Sequence, residues 1–249
     1  MLGLGNGIAH GLGTYSPWNP LDDDCVLWLT ANPNWVKLAS GSTTEVEQWN
    51  AQIPIDGSMI FAQATSSARP AWYASNHGEV LFTGSENDHQ LDADTKVTLD
   101  TSVGGWTMAM RVKMDNWVGA NQVIFGDGDS SNHFFRHDVT NKTMTLKIGE
   151  TPQTRTFTID TPDGLTPRQY YNIVLVSSSS GDLVLYIDNV AQGDTETFNP
   201  TRDFILTEIG GKAGASQTMD GGIKSIILFD KAADALMRNN IEELLNQTA

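Results

Sequence analysis

Cysteine is almost missing from this sequence: Cys25 stands alone among 249 residues. No intramolecular disulfide can form. A chain of this length buries roughly 70–75% of its extended surface and needs no such staple. Basic residues are scarce, 15 Lys and Arg against 30 Asp and Glu, for a net charge of −15. That surface repels nucleic acid and anionic lipid at long range and favours solubility, so neither is expected as a partner. No apolar run approaches the roughly 20 residues of a membrane-spanning helix. The opening residues lack the basic region and apolar core of a secretory signal. The expectation is a protein made in a cytosol and kept or assembled there, in which the sequons at Asn141 and Asn246 carry no weight. No His-Ser-Asp order, Gly-rich phosphate loop or basic stripe stands out.

What is present is a series of short apolar runs. The densest stretch is Tyr170–Gln192, where Asn172–Val176 and Leu183–Ile187 flank four serines and Gly181. Strand formers around residues that tolerate turn geometry mark a hairpin. Asp188-Asn189 reads as a second, two-residue turn, since both residues accept positive φ. Thr107–Met114 alternates, with Met108, Met110, Val112 and Met114 on one face and Arg111 and Lys113 on the other. Further strands are expected at Cys25–Ala31, Glu79–Thr83, Val123–Phe125, His133–His137, Thr143–Ile148, Arg155–Ile159, Phe204–Ile209 and Ile223–Phe229. Residues 32–57 look irregular around one short element, Val46–Asn50. Strands at this spacing without intervening helices argue for a sandwich. One helix is expected, capped by Asp234, with Met237, Ile241, Leu244 and Leu245 on one face.

LVLYIDNVAQ followed by GGIKSIILFDKAADALMRNNIEELL resembles the C-terminal half of a laminin-G-like jelly roll. Tyr186, Asp188, Gly222, Ile223, Ile227 and Phe229 match, whereas Asn189 replaces a usual Gly and Ala233 a usual Leu. VLWLTAN, QWN, RPAW and VLFTGSENDHQL fit the N-terminal half in order. The resemblance spans about residues 24–247. It implies an all-β, antiparallel, concanavalin-A-like jelly roll over 21–249 with a short C-terminal helix, and little about activity.

Glycoside hydrolases share that fold, and their acids stand as E-x-D-x-x-E on a strand. The nearest spacing here is Glu45-Val46-Glu47, without the third acid, so no enzyme is expected. Asp127 and Asp129, in DGDSSN, alternate as calcium ligands do. A hairpin turn explains the same residues, so no cofactor is expected and calcium stays a candidate. His133 and His137 read as exposed residues of one strand face, with no carboxylate or Cys to complete a zinc site. Among seven tryptophans, Trp28 reads as core and Trp106 as core or rim. Trp35, Trp49, Trp72 and Trp117 sit in or near loops, as candidates for a glycan groove or a protein interface.

Residues 1–20 differ from the rest. Five glycines and two prolines oppose order and helix, yet Leu2, Leu4, Ile8, Leu12 and Trp18 are apolar. This is read either as an arm that docks on a partner or as a segment packed along its own sandwich edge. The opening LGLGN resembles the start of structural proteins of tailed bacteriophages. Together with the jelly roll, it implies a non-enzymatic virion component: a capsid decoration, head fibre or tail-associated protein that contacts other virion proteins or itself. The alternative is a carbohydrate-binding module for host surface glycans.

Overall fold

A computed structural model describes residues 18–247 except 54–58, 75–77, 85–88, 116–120, 150, 152, 161–163 and 213–217. In chain order the early strands are β1 (Cys25–Thr30), β2 (Val36–Leu38), β3 (Val46–Asn50), β4 (Ile60–Ala62), β5 (Ala71–Tyr73), β6 (Glu79–Thr83), β7 (Leu91–Leu99) and β8 (Trp106–Met114). Then follow β9 (Asn121–Gly126), β10 (Phe134–Asp138), β11 (Thr143–Ile148), β12 (Gln153–Thr158), β13 (Tyr170–Ser177) and β14 (Asp182–Ile187). The series ends with β15 (Val190–Thr197), β16 (Phe204–Ile209), β17 (Asp220–Phe229) and helix α1 (Ala235–Gln247). The first sheet runs β15-β14-β13-β8-β17-β6-β5, with β1 also on β17; the second runs β12-β11-β10-β9-β16-β7-β4-β3-β2. All of these ladders are antiparallel, as expected for a jelly-roll sandwich.

The inner faces share one core, in which Met108, Met110, Ile226 and Leu228 of the first sheet meet Phe135, Leu146 and Leu206 of the second. The hairpin turn closes as its residues demand, with Asp188 at φ 47 and Asn189 at φ 63. Asp234 caps α1 by accepting from the Met237 amide at 2.8 Å. Met237, Ile241 and Leu245 then seal the outer face of the first sheet over Ala109, Val174, Ile227 and Phe229. This is why β17 reads as a continuous apolar run: it is buried on both faces. Cys25 is a buried small hydrophobe, its thiol pushed up to about 12 by burial.

Several expectations are corrected. Residues 32–57, read as irregular, contribute β2 as well as β3. The long strand β7 and the edge strand β15 carry few apolar residues and were not expected. Trp28 is only half-buried, on the outer face beside α1. Trp18, a candidate for docking on a partner, packs on its own sandwich instead. Its ring lies 6.1 Å from that of Phe229, and its indole N–H donates to Asp23 at 2.6 Å. Asp23 also holds Lys231, at 2.6 Å. Leu2, Leu4, Ile8 and Leu12 lie outside the described residues.

Candidate functional site

Helix α1 covers part of the outer face of the first sheet, and the outer face of the second sheet carries a row of polar side chains. Strand register sets one row across it. Lys147 of β11 pairs with Phe134 of β10, Phe134 with Gly126 of β9, Gly126 with Glu208 of β16, and Glu208 with Asp92 of β7. Directly paired residues share a face, so these five stand side by side over about 19 Å, at ~4.8 Å per strand. A bulge between Leu206 and Glu208 turns Glu208 outward while Ile209 stays in the core. Gly126 is bare for a reason: a Cβ there would meet the Gly211 carbonyl oxygen at 2.3 Å and the Lys212 Cβ at 2.4 Å. The segment after β16 therefore lies across Gly126 and carries Lys212 toward Phe134.

The row has two ends of opposite character. At one end three cations surround the Phe134 ring, with Arg136 at 5.0 Å, Lys147 at 5.9 Å and Lys212 at 5.7 Å from its centroid. Burial holds Lys212 below the usual lysine range, and the Lys147 and Arg136 charges add to this against the pull of Glu208. Burial likewise lowers Arg136, opposed by Asp138. At the other end lies a groove of about 460 Å³ in which four carboxylates, Asp92, Asp94, Asp129 and Glu208, outnumber one cation, Lys96. Glu208 is only 2% exposed. Its carboxyl is pushed up to about 7, first by burial and then by Asp92 and Asp127. Its Oε1 is buried without a hydrogen-bond partner among the described residues.

Asp127 is buried next to Gly128 and Asp129, which line this groove. One of its oxygens accepts from the Asp129 amide and the Thr207 hydroxyl, both at 3.1 Å. Thr207 in turn accepts from the Gly128 amide at 2.8 Å. The carboxylate thus closes the β9–β10 turn. Among the described residues no three His, Cys, Asp or Glu are grouped to hold a metal ion.

The tryptophan candidates are not brought together. Trp49, expected near a loop, is fully buried in the core, with its indole N–H donating to the Thr30 carbonyl at 2.8 Å. That corrects its reading as a glycan-binding residue. Trp72 is half-buried on β5, and its N–H ties down the Ala31 carbonyl at 2.7 Å. Trp35 is half-buried in the turn before β2, and Trp117 lies outside the described residues. His133 and His137 are buried rather than exposed. The His133 Nδ1 accepts from the Ile205 amide at 3.2 Å, and burial lowers His137 to about 4. Glu45 and Glu47 are spent on ion pairs, with Arg69 at 3.6 Å and Lys37 at 2.9 Å. Glu208, Lys147 and Lys212 escaped the sequence reading. The only local hint is an acid at the end of an apolar strand, followed by Gly210-Gly211-Lys212.

A laminin-G-like family model, described as the concanavalin A-like lectin/glucanases superfamily, matches residues 83–236. The chain belongs to that superfamily. The matched span holds the whole row from Asp92 to Glu208. Solved structures agree on the fold. The Trypanosoma rangeli sialidase in complex with the inhibitor DANA aligns at a TM-score of 0.50 and 13% identity, over 89% of this chain and 32% of the sialidase. The binding domain of botulinum neurotoxin DC in complex with SialylT aligns at a TM-score of 0.51 and 15% identity, over 92% of this chain and 52% of that one. The chain thus spans about a third of the sialidase and about half of the neurotoxin domain. No curated protein sequence matches the chain.

Proposed function

We propose that this superfamily member binds a saccharide on the outer face of its second sheet and does not turn it over. The observation that carries the reading is Glu208. A carboxyl with a buried, unpartnered oxygen is costly to keep in a folded protein. The residue lines a polar groove, where ligand hydroxyls can approach its carboxyl. Near its pKa it offers either an acceptor or an O–H donor. The groove volume falls in the range of small-molecule sites. The sialidase structure and the neurotoxin domain were solved with DANA and SialylT, respectively, which supports testing sialylated glycans first.

A glycan array on the purified chain tests this. We expect binding to a defined glycan class, weakened at least tenfold by Glu208→Gln. No ligand in the array, or a ligand indifferent to Glu208, contradicts it. Release of reducing sugar that disappears in Glu208→Gln would show that Glu208 works as a general acid and that the chain is an enzyme after all.

The setting we propose, a virion structural or accessory protein, rests on the LGLGN opening and is compatible with glycan binding. A particle reconstruction in which this chain contacts no virion protein contradicts it.

A further inference from the structure

We propose that the saccharide taken by this face carries an anionic group, a carboxylate or a sulfate, seated at the Phe134 end among Arg136, Lys147 and Lys212. This rests on the glycan reading of the face and adds the ligand's charge class to it.

The charge count makes the cluster unusual. The chain has twice as many acidic as basic residues, yet three of its cations lie within 6 Å of one phenyl ring. Like charges that converge repel, and burial makes the repulsion worse. The ring face attracts each cation but cannot neutralise them. Lys147 donates to the Ser131 carbonyl at 3.0 Å. Among the described residues neither Lys147 nor Lys212 has a carboxylate partner within ion-pair distance. The cluster is also built rather than accidental, because Lys212 reaches Phe134 only through the close approach over Gly126. An anion placed there relieves the repulsion and accepts several charge-assisted hydrogen bonds. The lowered Lys212 is the group such a ligand restores.

The distance along the row fits a sugar better than a free ion. Phe134 and Glu208 are two strand spacings apart, about 10 Å. The Gly211–Lys212 segment lies over Gly126 between them, so a saccharide with its anionic group among the cations passes over that segment to reach the groove at Glu208, whereas an inorganic ion reaches only one end.

Calorimetry on the full chain tests the inference with matched probes. These are sialyllactose against lactose, a sulfated against an unsulfated chondroitin disaccharide, and sodium sulfate alone. We expect at least one charged probe to bind tenfold or more tightly than its uncharged or less charged partner. Lys147→Met combined with Lys212→Met, which keeps the aliphatic stems, should abolish that preference without lowering the melting temperature. Binding should also weaken as salt rises. The sialylated and sulfated arms distinguish carboxylate from sulfate recognition. Equal binding of charged and neutral partners, unchanged in the double variant but lost in Glu208→Gln, overturns the anion inference and leaves the glycan reading standing. Sodium sulfate binding as tightly as any saccharide overturns the inference in favour of an ion site. No binding by any probe removes both.

Discussion

Tyr170 and Phe134 stand on the outer faces of opposite sheets, each ringed by three cations. Lys224, Lys113 and Arg111 lie 4.6, 5.5 and 5.6 Å from the Tyr170 centroid. Both aromatics share a row with a bare glycine: Tyr170–Lys113–Gly222 on the first sheet, Lys147–Phe134–Gly126 on the second. What fills the space over the glycine differs. Over Gly222 a Cβ would meet the Glu79 carboxylate at 2.6 Å. That carboxylate accepts from the Tyr170 hydroxyl and pairs with Lys113 at 2.9 Å. Asp115 pairs with the same lysine at 3.6 Å. Over Gly126 the chain lays Gly211 and then Lys212, another cation. The first cluster brings its own anions and is a structural knot. The second leaves Lys147 and Lys212 without a carboxylate partner among the described residues, as a ligand site does.

An apolar anchor on the first sheet sets the energetic scale for this contrast. Trp18→Ala should cost roughly 2–3 kcal/mol, below the full price of emptying a core site, and thermal unfolding reads it. A change near zero would restore Trp18 to the docking segment.

The lysines should part company next. Lys113→Met takes the lysine partner from the half-buried Glu79 and Asp115 and should cost about 1–3 kcal/mol, while Lys212→Met should stay within about 0.5 kcal/mol or stabilise. Equal losses in denaturant melts would erase the distinction between the clusters.

Glu208 sharpens the contrast through pH. Its carboxyl titrates near 7 when folded and near its ordinary 4.5 when unfolded. Between those values the folded chain holds a proton that the unfolded chain has lost, so this contribution is full below 4.5 and fades as pH rises through 7. Glu208→Gln should remove that slope and melt higher than the parent, relative to pH 5, at pH 8. His137, lowered to about 4, slopes the other way, its contribution fading as pH falls below 6.5, and the variant leaves that limb untouched. Parallel melting curves for parent and variant would show that Glu208 is not protonated in the fold.

The smallest expected effect concerns Asp127 and Asp129. If they only close a turn, a chelator leaves the melting temperature where it was. A calcium ion at a hundred times its dissociation constant would contribute about 2.7 kcal/mol, so a clear drop on chelation identifies a bound ion.

Much of the fold was legible because it rests on local signals. The Asp188-Asn189 turn, the Asp234 cap and the apolar runs of β13, β14 and β17 are each decided by a few neighbouring residues. Strand β7 was not legible, because Asp94–Lys96 interrupts its apolar positions and only its register with β16 and β4 makes it a strand. Trp49 was misread because VEQWN surrounds it with polar residues; its place in the core comes from distant strands, and its indole N–H is tied to the Thr30 carbonyl, nineteen positions away. The candidate site was illegible for the same reason at larger scale. Asp92, Gly126, Phe134, Lys147 and Glu208 come from five strands, and sequence spacing carries no trace of the cross-strand register that aligns them.

The most direct test follows the lysine side chains by nuclear magnetic resonance while an anionic saccharide such as sialyllactose is added to the full chain. The Lys147 and Lys212 ammonium signals should move, with Lys212 gaining proton affinity, while Lys113 and Lys224 stay where they are. Signals that move at Lys113 and Lys224 instead, or at all four alike, contradict the anion inference.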